Sequence, residues 1–225
     1  HRHHSHLAAI YPFCTINPFD PAHQKIVARS LNRWNTLGPG NWTGWCVPWA
    51  SIICSRCGLA DAALSWLHLL EEQFTNEGRA TLHNANAAGM FAWDDGSLAW
   101  PDHRKGPDFL FYEIMQMDAA MGAISAILEL IISVRDNVVH ITDRLPKGWR
   151  SLSLSRVRVA GGFCLDVQFH DARVTEIHVV SGHGGTLTVA HALGETWTLD
   201  GIAHTEPTAV LELAPGSNCT LSSTS

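Results

Sequence analysis

The residue with the clearest chemical prospect is Asp118. It lies in the octet Met115-Gln116-Met117-Asp118-Ala119-Ala120-Met121-Gly122, a lone carboxylate among apolar and small residues. A mostly apolar run follows over residues 123–134. The pattern predicts the start of a buried helix with an ionisable group near its N-terminus. Partial burial raises a carboxyl pKa, whereas a helix N-terminus and hydrogen-bond donors lower it. An acid under such opposed pressures suits general-base work. The same position also fits a plain N-cap that accepts one backbone N–H.

Two further groupings invite a chemical reading. The chain opens His1-Arg2-His3-His4-Ser5-His6-Leu7, four histidines in six residues. Histidine is a common zinc ligand, but no Cys or carboxylate stands close in sequence to complete a shell. Arg2, Ser5 and Leu7 break the regularity of a purification tag. A third reading is a polar pocket wall, since Arg donates in a fixed fork and His donates or accepts. Cys54-Ser-Arg-Cys57 has redox spacing. It falls at the end of an apolar helical pattern, whereas a reactive thiolate prefers a helix N-terminus, so core cysteine is the expectation.

Composition narrows the class. The chain has 225 residues, 46% hydrophobic and 16% charged, enough for one large domain or two small ones. A formal net charge of -6 without a basic stripe argues against nucleic acid and against an anionic membrane surface. The longest apolar segment contains Ser125 and Glu129 and is too short and polar to span a bilayer. The first residue is His, so a piece of a longer protein is expected. Two sequons, at Asn41 and Asn218, permit secretion. Nine Trp are present, and Trp faces suit both cores and sugar rings.

The elements that must position Asp118 read as helices first. Pro18-Phe19-Asp20-Pro21 starts one, Ile26, Val27, Leu31 and Trp34 follow at helical spacing, and Gly38-Pro39-Gly40 stops it. A second runs through Trp49, Ile52 and Ile53 to about Gly58; a third has Asp61 in its first turn. Residues 76–108, rich in Gly, Asn, Asp and Pro, read as a long functional loop. The Asp118 helix is expected to reach about Val134. After Asp136 the period becomes that of an antiparallel all-β unit of about six strands, at residues 153–159, 163–169, 173–180, 186–190, 195–199 and 209–213. The Ser/Thr-rich tail from Gly216 is expected to be loose.

Several segments, taken in order, resemble the glycoside hydrolase family 95 α-L-fucosidases. His1-Arg2-His3-His4-Ser5-His6-Leu7 with Tyr11-Pro12 resembles that family's HRH-x-SHL…YP segment. Thr43-Gly44-Trp45 with Trp49 is similar to its TGWS-x-AW helix start, and Gln116-Met117-Asp118 with Gly122 and Glu129 to its Q-I-D-G-N-x-G…E helix. Leu145-Pro146-x-x-Trp149 and Arg158-x-x-Gly161-Gly162-Phe163 resemble its LP-x-x-W and R-x-x-GGF signatures. The resemblance spans residues 1 to about 190. It implies the last helical hairpins of an (α/α)6 barrel over residues 1–136, then a small antiparallel β-sandwich domain over 137–225.

The implied activity is hydrolysis, with inversion, of terminal α-L-fucosyl or related α-L-hexosyl linkages of oligo- or polysaccharides. Asp118 matches the general base that activates water, and Arg2 and His3, with His6 a weaker match, line the sugar pocket. The general acid and the water-positioning Asn residues have no match here, so this chain alone is expected to be inactive. The partner is carbohydrate, with no nucleic acid, no membrane, no cofactor and no metal, and the setting is extracellular. Three departures stand out: Ala119-Ala120 replaces the family's Gly-Asn, residues 109–114 replace an apolar-Pro-Pro-Phe run, and the loop at 84–108 is atypical. They leave room for another substrate, or for a catalytically dead sugar-binding or scaffold protein. A histidine-cluster metal protein is the third reading.

Overall fold

A computed structural model describes residues 3–85 and 114–224. The chain divides into two compact units, His1–Glu129 and Leu130–Ser225.

The first unit is helical. A 3-10 turn, Ser5–Leu7, precedes α1 (Pro21–Leu37), α2 (Cys46–Arg56), α3 (Ala60–Gln73) and α4 (Met117–Glu129). Helix α1 starts where the sequence predicts: the Asp20 side chain accepts the Ala22 N–H at 2.8 Å and Pro21 fills the first position. Helix α2 is the core. Val47, Ala50 and Ile53 are inaccessible to solvent, and both α3 and α4 pack on it. Small residues permit the close approaches: the Ser51 hydroxyl donates to the Ala63 carbonyl at 2.8 Å. A Cβ on Gly122 would lie 3.0 Å from Pro48 and 3.1 Å from Trp45. At the far end Arg56 grips Glu129 through two bonds of 2.6 and 2.7 Å, and the Ser55 hydroxyl donates to the Glu129 carbonyl at 2.6 Å.

Helix α4 stops at Glu129, five residues short of the expected end, because Ile132–Arg135 is already a strand. The β-branched pair Ile131-Ile132 and Val134 suits a pleated strand as well as a helix, and four residues do not reveal a period.

Among the described residues the second unit holds ten strands in two sheets. Strands β1 (Ile132–Arg135), β2 (Val138–Ile141), β6 (Gly185–Ala190) and β9 (Thr208–Leu213) form one, in that order. Strands β3 (Leu152–Val159), β4 (Phe163–His170), β5 (Arg173–Ser181), β10 (Asn218–Ser223), β7 (Trp197–Leu199) and β8 (Ile202–His204) form the other. The expectation of an all-antiparallel unit needs correcting, since β2 and β6 pair in parallel. Three strands of the other sheet intervene between them in the sequence, which permits the crossover that parallel pairing requires. The tail is also corrected. Residues 218–223 form an interior strand between β5 and β7, with Cys219 and Leu221 buried and polar residues alternating. Ser/Thr content hid a two-residue period with only two apolar members. Alternation was plain in β4, where Phe163, Leu165, Val167 and Phe169 are all buried.

Candidate functional site

Three segments distant in sequence meet at the start of α4. The Trp45 N–H donates to Gln116 Oε1 at 2.7 Å. The Gln116 backbone N–H donates to the Thr81 carbonyl at 2.8 Å, and the Thr81 hydroxyl returns a bond to the Gln116 carbonyl at 2.7 Å. The Gly44 N–H donates to the His83 carbonyl at 3.0 Å, and the His83 N–H to that of Ile114 at 2.8 Å. Gly44 has no room for a side chain, since a Cβ would lie 2.0 Å from the Leu82 carbonyl oxygen. Thus Thr43-Gly44-Trp45 and Gln116-Met117-Asp118 are tied together, with Thr81–Asn84 between them. Asp118 follows at the second position of α4, inside the first turn, where a carboxylate is favoured by the helix dipole.

Asp118 is exposed, contrary to the expected partly buried acid. Its Oδ1 accepts the Ala119 N–H at 3.0 Å. Helix α4 buries its small residues, Ala119, Gly122 and Ala126, against α2. Its large ones, Met117, Met121, Ile124 and Ile127, face outward. The apolar run predicted a buried helix, but hydrophobicity alone does not say which face is covered, and steric fit chose the small one. The carboxylate therefore stays open to a ligand and to water.

The opening segment also attaches at the start of α2, through a residue not singled out by the sequence. His4 is 1% exposed. Its Nδ1 accepts the Trp34 indole N–H at 3.1 Å, which leaves Nε2 protonated to donate to the Cys46 carbonyl at 2.8 Å. Trp34, Trp42 and Trp49 surround the ring at centroid distances of 5.3, 4.5 and 5.3 Å, each edge to face. Burial pushes its pKa down to about 4, so the ring is neutral at pH 7. Cys46 adjoins Trp45, so the opening segment and the Gln116 turn attach to consecutive residues at the start of α2. Tyr11 docks further along the same helix, its carbonyl accepting the Trp49 indole N–H at 3.1 Å. The Arg56 guanidinium lies 5.7 Å over the Tyr11 ring.

His3 and His6 are exposed on either side of this anchor, and partial burial lowers the His6 pKa. Arg2 lies outside the described residues, as do most of the 84–108 loop and its Trp93, Asp94, Asp95, Trp100, Asp102 and Asp108. Also outside them are residues 109–113. His83 and Asn84, joined at 2.8 Å between Nδ1 and Oδ1, add polar groups that the sequence gave no reason to single out beyond their place in the 76–108 stretch. Among the described residues no group of three or more His, Cys, Asp or Glu could hold a metal ion. Cys54 and Cys57 are free, and burial pushes their thiols up to about 11 and about 12. Raised thiol pKa values fit the expected core cysteines rather than a redox pair.

The class follows from the sequence of the helical unit, which carries part of a glycoside hydrolase catalytic domain and is followed by a β-sheet unit. The sequence model of the glycosyl hydrolase family 95 catalytic domain matches residues 1–131, and the chain belongs to that family. No curated protein sequence matches it. Among solved structures it is similar to Ara127N-Se, a GH127 β-L-arabinofuranosidase from Geobacillus stearothermophilus T6. That likeness has 10% identity and a TM-score of 0.28 over 87% of this chain, which spans about 30% of the other's length. No described helix is long and apolar enough to cross a membrane.

Proposed function

We propose that this chain is the C-terminal portion of an inverting exo-glycosidase that removes terminal α-L-fucosyl or related α-L-hexosyl residues, and that Asp118 is its general base. In this reading the helical unit supplies the last hairpins of an (α/α)6 barrel, and the β unit is a sandwich-like appendage. The observation that carries the proposal is the junction at α4. An open carboxylate follows a glutamine side chain bonded to the start of α2, in a chain of family 95.

Inversion in one step requires a base on one face of the sugar and an acid on the other, with roughly 6.5–9.5 Å between the carboxyls for a water. Asp118 would take a proton from that water as it attacks the anomeric carbon. Arg2, His3 and His6 would hold the sugar's hydroxyls, with His4 anchoring the segment that carries them. Ala120, half-buried beside the base, stands where the family carries an amide, which favours a substrate other than a simple fucoside. The general acid is supplied by sequence outside these residues, so the 225-residue chain alone should turn nothing over. A secreted setting fits an enzyme that trims polysaccharide ends.

The test is Asp118→Asn in the full-length protein, assayed on α-L-fucosides and related α-L-hexosides with calorimetry for sugar binding. Turnover should fall by about 10³-fold or more with binding retained, within the range ascribed to a positioned base. Undiminished turnover rules the assignment out. Sugar binding by a wild-type protein that hydrolyses none of these substrates would favour the catalytically dead alternative.

A further inference from the structure

The R-x-x-GGF stretch takes no part in the proposed chemistry, yet it builds a hollow of about 450 Å³ on the β unit. That is within the range of roughly 300–1,000 Å³ typical of small-ligand sites. Its walls include Arg156, Arg158, Gly162, Asp166 and His183. The shape has specific causes. A register shift between Leu154 and Val157 bulges β3, and Arg156 sits in the bulge at φ +58°. The Asp166 carboxylate holds that bulge by accepting the Arg156 backbone N–H. Bulges re-aim side chains, and this one sets Arg156 beside Arg158 at the hollow's wall. Opposite, Gly162 has φ +78°, and a Cβ there would lie 2.5 Å from the His183 ring. Glycine thus lets the imidazole settle on the backbone as a flat wall.

Neither guanidinium has an ion-pair partner among the described residues. Two guanidinium forks beside a single carboxylate leave the hollow with one net positive charge when His183 is neutral. A planar monoanion matches that balance and the fork geometry better than a dianion. The imidazole face offers an apolar surface on which the C–H face of a sugar ring can rest.

We infer that this hollow is a binding site for a uronic acid residue of a glycan, its carboxylate held by Arg156 and Arg158 and its ring against His183. The choice of a sugar as carrier of the carboxylate rests on the glycosidase reading; the anion site itself does not. Such a site would hold an acidic polysaccharide on the β unit.

The experiment titrates the full-length protein with an oligogalacturonate tetramer, a neutral galactose tetramer and inorganic sulfate, by calorimetry and by the His183 imidazole NMR signals. The uronate tetramer should bind saturably and shift the His183 signals, with the neutral tetramer and sulfate at least tenfold weaker. Arg158→Gln, in regular extended backbone, should weaken the uronate at least tenfold. Arg156→Asn, which tolerates the positive φ, should weaken it further when combined. Absence of saturable binding, an unmoved His183 signal, or unchanged affinity in the double variant overturns the site. Equal binding of sulfate or of the neutral tetramer overturns the uronate assignment. Turnover of an uncharged α-L-fucoside should be the same in the double variant as in wild type. A wild-type protein that hydrolyses no glycoside but binds the uronate tetramer would break the glycosidase reading and leave this site standing.

Discussion

The turn that opens α4 and the segment that opens the chain both carry residues of the family's motifs, and the structure treats them in opposite ways. At the first, Gln116 and its neighbours spend their hydrogen bonds on the scaffold while Asp118 is left open. At the second, His4 is sealed among three tryptophans and both ring nitrogens are occupied by protein groups. Motif residues therefore divide into those that hold and those that are free to act. Solvent access and spare hydrogen-bonding capacity separate the two.

The strongest way to break this comparison is Asp118→Asn, which should cost about 10³-fold in turnover. Because the side chain is exposed, its melting temperature should stay close to that of wild type. A large loss of stability instead would move Asp118 into the holding class.

His4→Ala should do the reverse. It leaves the Trp34 N–H and the Cys46 carbonyl buried without partners and opens a cavity. The expected cost is about 3–5 kcal/mol, read by denaturant unfolding of the helical unit.

Acid should find the same residue. His4 titrates near 4 in the folded chain against 6.5 when free, so the unfolded state binds more protons between those values. Stability is full above pH 6.5 and falls by up to about 3 kcal/mol as pH drops to 4, at about 1.4 kcal/mol per pH unit. Below that the two states are equally protonated and His4 contributes no further loss. His4→Phe should flatten this part of the profile, and an unchanged slope would remove His4 as its cause.

Gln116→Ala sits between the classes. Losing the acceptor for the Trp45 N–H should cost about 1–2 kcal/mol. It should also lower turnover about tenfold by loosening the turn that sets Asp118, with Gln116→Glu restoring part of it.

The smallest effect is expected in the β unit, where a similar device recurs. His191 Nδ1 accepts the Leu193 N–H at 3.1 Å and Nε2 donates to the Glu206 carbonyl at 2.9 Å, with Trp197 packed 4.5 Å away. The Trp197 indole N–H donates to the same carbonyl at 2.8 Å. His191→Phe should cost about 1–2 kcal/mol, since Glu206 keeps one donor while the buried Leu193 N–H loses its acceptor.

Much of this is legible in the sequence alone. Asp20-Pro21 and Gly38 marked α1, and the 163–169 alternation marked β4, because capping and a two-residue period are local properties. The site was half legible. Motif order pointed to Asp118 and to Thr43-Gly44-Trp45, but not to the bonds that join them across 71 residues. Nor did it point to Thr81–Asn84, whose place depends on a pairing with residues 114–116. The sequence suggests a loose tail and an all-antiparallel unit because β10 and the β2–β6 pair depend on partners far away in the chain.

The sequence by itself determined the family, the helices-then-strands order and the choice of Asp118 as candidate acid, since each is written in residue types at short spacing. The tertiary structure decided which histidine is sealed, which face of α4 is covered and where the C-terminal segment pairs. Those outcomes depend on steric fit and hydrogen-bond partners supplied by distant segments, and no local pattern carries that information.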